Sequence, residues 1–211
     1  MKTLLFRSTI ILTAIVLTLT LGAATPKIAW ADDDDDPKVS PQKKENRQSS
    51  ARRRYGANKA KATVEGEEIS VLAGRPSISK DTAYPLIDTM KTGDLVTMNL
   101  GQAIKFSTPF HCKFGDLLVK AGNVAPDYPG VYSLWMKKTE SGWNIVFNGK
   151  PDIWGSMHNS AHDIGETAIT YKEMSDPKES LILDIEVGNG KGLLTITWGK
   201  HQWSAPFTIE L

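Results

Sequence analysis

The chain has 211 residues, 25 Lys or Arg against 24 Asp or Glu, and a single cysteine, Cys112. That charge balance excludes the clustered basic excess of a nucleic-acid binder, so no nucleic acid is expected as a partner. One thiol excludes an internal disulfide and any CxxC redox or metal motif, and Cys112 reads as a small buried hydrophobe.

The first 31 residues have the layout of a secretory signal peptide. Lys2 and Arg7 give a basic start, "STIILTAIVLTLTLGAA" an apolar run, and "AWA" small residues before Asp32, so cleavage is expected after Ala31. A membrane-spanning helix needs about 20 predominantly apolar residues. Here Thr9, Thr13, Thr18 and Thr20 interrupt a shorter run, and Pro26 and Lys27 follow it. No transmembrane anchor is therefore expected after cleavage, and the protein should be periplasmic or secreted. Loss of Lys2, Arg7 and Lys27 leaves 22 basic and 24 acidic residues, a formal charge of −2.

Residues 32–61 read as a disordered charged linker. Val39 and Tyr55 are their only large apolar residues, and an acidic block precedes the Arg52–Arg54 cluster. Nine basic and six acidic side chains leave +3. Such a stretch has too little apolar surface to offset chain entropy. It is a solvated tether or, in a functional reading, a contact to an anionic envelope polymer.

Residues 62–211, about 150 in all, are enough for one domain that buries roughly 68–70% of its extended surface. Their pattern has period two with turn punctuation. "ATVEGEEISV" pivots at Gly66, and "LVTMNLGQAIKFST" pivots at Gly101 and Gln102. Strands fit near Leu117–Val119 and Thr167–Tyr171. In "GVYSLWMKKTESGWNIVFN", Tyr132, Leu134 and Met136 share a face, as do Trp143, Ile145 and Phe147 across the polar turn ending in Gly142. Trp135 falls on the other face and is expected to be partly exposed. Trp154 falls in a loop.

The C-terminus predicts a three-strand meander. Leu181, Leu183, Ile185 and Val187 alternate inward, "GNGKG" turns the chain, and Leu194, Ile196 and Trp198 return. "GKHQ" then turns it again ahead of Trp203, Ala205, Phe207, Ile209 and Leu211. Pro206 cannot donate to a ladder, which places it on an edge or at a strand start. The one expected helical turn is "SDPKES", with Pro177 at its first position. Eight to ten short strands without a helical crossover predict an all-β fold. The expected form is an antiparallel β-sandwich or flattened barrel with short loops, preceded by the disordered linker.

"EGEEISVLAGRPSI", "DLLVKAG", "PGVYSLW", "GWNIVFNGKPDIWG", Asp163 and "LTITWGKHQWSAPF" occur in this order and together resemble the bacterial domain-of-unknown-function 2911 family over residues 62–211. The resemblance implies an exported β domain and gives no activity. It also singles out a polar segment after the Arg-Pro motif, "W-R-x-G-A-N-E-x-T", as the family's site candidate. In this chain that segment is "MKTGDLVTMNL": Thr92 and Gly93 are retained, Met90 stands for the Trp, Lys91 for the Arg, and the Asn-Glu pair is gone. Lys for Arg removes the planar fork that grips carboxylate or phosphate in two places. "NVAPDYP" interrupts the "AG-x-Y" element. Arg75 is the charged residue the resemblance selects, held by Pro76.

Candidate chemistry is sparse. "MHNSAHD" offers His158, His162 and Asp163, with His111 and Cys112 as possible companions in space; imidazole and carboxylate suit zinc or copper. Loop histidines beside a strand start have a structural reading too. No nucleophile elbow, phosphate loop or dinucleotide fingerprint is present. Three readings stay open. The first is an exported non-catalytic β module binding a small ligand or cell-envelope component through Arg75, Trp135, Trp154 or Tyr128, with no cofactor. The second is a metal-binding protein or metal-dependent hydrolase using His158, His162 and Asp163. The third is a structural or protein-interaction module.

Overall fold

The computed structural model describes residues 58–122 and 130–210. Within them lie nine strands: β1 (Asn58–Val64), β2 (Glu67–Ala73), β3 (Ile104–Ser107), β4 (His111–Phe114), β5 (Leu117–Val119), β6 (Val131–Lys138), β7 (Trp143–Asn148), β8 (Asp163–Gly188) and β9 (Lys191–Glu210). They form one antiparallel sheet in the order β1-β2-β3-β6-β7-β8-β9-β4-β5, left open between β1 and β5. The expected signal peptide with Ala31, most of the linker, Tyr128 and Leu211 lie outside the described residues. The first strand begins at Asn58, four residues ahead of the expected start.

The alternating patterns resolve as turns where the backbone needs them. Glu65 and Gly66 (φ 50° and 85°) connect β1 to β2, and Asn189 and Gly190 (φ 54° and 69°) connect β8 to β9. Positive φ at both central residues matches the right-handed twist of the joined strands.

The sheet folds over through its long strand β8, which pairs with β7 at its start and with β9 along the rest. A main core results. Ile69, Val71, Ile104, Phe106, Tyr132, Leu134, Ile145 and Phe147 meet Phe114, Leu181, Ile196, Trp198, Trp203 and Phe207, all buried. Phe114 is central, stacked on Phe207 at 4.8 Å and tilted on Phe147 at 4.7 Å. Each such ring contributes on the order of 0.5–1.5 kcal/mol beyond its buried area.

Three expectations are corrected. Residues 199–202 are no turn: β9 runs unbroken, and Gly199 (φ 59°) sits at a register shift against β8. The extra residues lie on β8, which has four, 174–177, between its partners of His201 and Gly199 where β9 has one, and across this irregularity the inward parity of β9 switches from 194, 196, 198 to 201, 203, 205, 207, 209. Residues 175–180 are no helical turn; they lie in β8, and Pro177 sits where the ladder is irregular, between Glu173 and Lys178. The helical turns are instead two 3-10 segments, η1 (Tyr84–Thr89), with Pro85 in its first turn, and η2 (Ser160–His162). Pro206 is neither on an edge strand nor at a strand start: it lies inside β9, between Ser204, paired to β8, and Thr208, paired to β4.

Trp135 is the fourth correction. It is 1% exposed, because residues 95–103 and 153–163 cover the outer face of the β6–β7 hairpin. There it packs with Ala103, Val146, Leu95 and Ile153 as a second, smaller core.

Candidate functional site

The "MHNSAHD" loop is held rather than open. Asn148 is fully buried at a bulge; its Nδ2 donates to Asp163 Oδ1 (2.7 Å) and to the Asn159 carbonyl (2.9 Å), and its Oδ1 accepts from Lys150 N (2.9 Å). His158 Nε2 lies 2.8 Å from the same Asp163 oxygen, and its ring meets Trp135 edge-on at 5.1 Å. His162 is exposed and closes η2, its carbonyl accepting from Gly149 N. The fold therefore joins His158 to Asp163 and leaves His162 outside the pair. Asp163 begins β8.

His111 Nδ1 accepts from Ala121 N at 2.9 Å, and Cys112 is buried beside Thr108 Oγ1 at 3.3 Å. Burial pushes the Cys112 thiol up to about 11, so it stays protonated and unreactive. Arg75 is exposed, with no ion pair among the described residues, while Pro76 beside it is buried and its carbonyl accepts from Trp198 Nε1 (3.1 Å) and Leu181 N (3.1 Å). Trp154 is 37% exposed and anchored through a bridge to Gln102.

Two features gather around η1. The first is a groove of about 350 Å³ lined by Leu86, Ile87, Met90, Leu95 and Val96, with Thr89, Asp94 and Thr97 as polar groups. Its wall is the "MKTGDLVTMNL" segment, which runs along the end of β6. Lys138 N donates to Asp94 O (2.8 Å), Gly93 N to Lys138 O (2.9 Å) and Val96 N to Met136 O (2.8 Å). Asp81, 2% exposed, fixes the other end. Its carboxylate accepts from Ala83 N, Asn99 N and Leu100 N at 3.0–3.2 Å, tying the entrance of η1 to the last two residues of the segment.

The second feature is a polar cluster on the far side of η1, where Asp88, Glu173 and His201 bring their ligand atoms within 4.8 Å of one another. Lys200 Nζ lies 2.9 Å from Asp88 Oδ1 and 3.7 Å from Glu173 Oε1. His201 is 1% exposed, stacked against Trp203 and Tyr171 and edge-on to Tyr84. Its Nδ1 is 2.8 Å from Tyr171 Oη, whereas Nε2 has no hydrogen-bond partner and stands 3.8 Å from Asp88 Oδ1. Burial holds the imidazole below its ordinary range, hence neutral near pH 7. Burial first, then the nearby Glu173 carboxylate, pushes Tyr171 up to about 12. The adjoining Trp143 and Trp203 also bury indole N–H groups without partners.

The cluster as a whole has no local signature in the sequence. "GKHQ" has the composition of a turn, which hides the phase that puts His201 in line with Trp203, Ala205, Phe207 and Ile209. That parity was the available signal. Asp88 and Glu173 carry no local signal; only tertiary pairing brings them to His201.

Among the described residues no helix is long and apolar enough to cross a membrane. Neither a curated protein nor a solved structure matches the chain. A family model described as "Protein of unknown function (DUF2911)" matches residues 56–207, from just ahead of β1 to Phe207 in β9, and the chain belongs to that family.

Proposed function

We propose that this protein is an exported, non-catalytic β module that binds a small, largely apolar component of the cell envelope in the groove beside η1. The groove itself carries the reading. At about 350 Å³ it falls in the size range of small-molecule sites, and it pairs an apolar floor with a few polar groups. Its wall is the segment that the family resemblance singles out, and Leu86, 59% exposed, projects at its rim. Where the family pattern has its Asn-Glu pair this chain has Leu95 and Val96, which make the wall more apolar. The rim carboxylate, Asp94, already accepts from Lys91 N at 2.8 Å, so it serves the loop and not a general acid–base pair. The signal-peptide layout of residues 1–31 supports an envelope ligand.

An NMR titration of the isotope-labelled protein with lipids and oligosaccharides extracted from the envelope tests this. Shifts should centre on Leu86, Ile87 and Val96 and vanish in Leu86→Asp. Shifts centred on Trp154, or none at all, would overturn the reading. Export is tested separately, by fractionation and mass spectrometry, with an N-terminus at Asp32 expected.

A further inference from the structure

We propose that Asp88, Glu173 and His201 form a binding site for one divalent transition cation of the zinc or copper class, at a place distinct from the groove and from the His158 loop.

His201 anchors the site. A buried imidazole nitrogen without a partner costs on the order of 1–3 kcal/mol, and this one stands 3.8 Å from Asp88 Oδ1, in a cluster that Glu173 completes. A proton on Nδ1 can run to Tyr171 Oη at 2.8 Å, and that hydroxyl in turn reaches Glu173 Oε1 at 3.4 Å. The chain of donors leaves Nε2 with a bare lone pair facing Asp88. A metal-ligating histidine typically has this arrangement: the outer nitrogen donates to a fixed partner, which sets the tautomer and aims the other nitrogen. The neighbouring indole N–H groups of Trp143 and Trp203 are donors and no cation would satisfy them, so they do not explain the imidazole.

The acids fit the same purpose. Ligands at about 2.0–2.2 Å in a tetrahedron stand roughly 3.3–3.6 Å apart. The present separations, up to 4.8 Å, close to that through rotation of Asp88 and Glu173, whose side chains are exposed, while His201 stays fixed. One nitrogen and two carboxylate oxygens suit zinc or copper and leave positions for water. A cationic group already answers this field: Lys200 Nζ lies against both carboxylates. An incoming divalent ion displaces that ammonium, which sits on a long flexible stem, so Lys200 tempers the affinity.

Equilibrium dialysis of the full-length protein against zinc, with metal counted by mass spectrometry, tests the site. One tightly held zinc per chain is expected. Asp88→Asn and Glu173→Gln, at exposed positions that preserve the fold, should each weaken binding at least tenfold. Lys200→Gln should tighten it on the order of tenfold, as expected when a competing unit charge is removed at close range. Absence of zinc would overturn the proposal. So would zinc held equally by Asp88→Asn, which would place it elsewhere, such as on the aspartates at 32–36, or zinc lost on His158→Ala. None of these outcomes touches the groove residues, so the groove reading stands or falls separately.

Discussion

Two histidine–aspartate pairs in this domain behave in opposite ways. His158 and Asp163 are five residues apart in one loop, and they bond each other: imidazole on carboxylate, carboxylate on Asn148, ring edge on Trp135. His201 and Asp88 are 113 residues apart, come from β9 and η1, and meet at 3.8 Å with the imidazole nitrogen unfilled. The local pair closes a loop over the second small core. The long-range pair is held apart by the packing of two elements, which leaves chemistry available. Histidines close together in sequence are thus a poor guide to a metal site when their loop has its own bonds to make.

The largest effect expected on this contrast comes from Gly199. A side chain there would enter at a positive φ, and its Cβ would fall 2.0 Å from Tyr84 Oη. Gly199→Ala should cost ~3 kcal/mol through strain and overpacking, seen as a lower midpoint in urea. It should displace η1, and with it Asp88, while the His158 pair stays intact by NMR. Asn148→Ala should cost about 2 kcal/mol, since it removes a fully buried amide and strips partners from the Asp163 carboxylate, a carbonyl and an N–H; its damage should stay in the 148–163 loop.

His201→Phe keeps the ring stack and removes the orphaned nitrogen. Its stability at neutral pH should change by less than about 1 kcal/mol, but its pH response should differ. The folded imidazole binds its proton more weakly than the unfolded one, so the unfolded state takes up more protons as pH falls. Wild-type stability should drop as pH falls through the ordinary histidine range near 6.5 and toward the lower folded value, and His201→Phe should flatten that part of the curve. The smallest effect belongs to Trp154→Ala, which should cost under ~1 kcal/mol because the ring is already partly in solvent.

Alternation sets most of this fold from the sequence alone. Tyr132, Leu134, Met136, Trp143, Ile145 and Phe147 face the core as their spacing requires, and the Gly66 and Gly190 turns fall where glycine permits a positive φ. A side chain's side of a strand is a local property of backbone geometry, so a local pattern reports it. Whether the far face is wet is not local. Trp135 is buried because loops from 95–103 and 153–163 return over it, and nothing at its own position encodes that.

The strand breaks were ambiguous for a related reason. A change of parity is produced equally by a turn or by a bulge in the ladder, and only the partner strand decides which. At Gly199 the partner β8 runs on, so the change is a bulge, and His201 enters the core row. Residue pattern alone specifies an all-β domain of this family, its hairpins and its inward rows. Which polar residues meet is set by packing, because Asp88, Glu173 and His201 share no short-range pattern and converge only when β8, β9 and η1 come together.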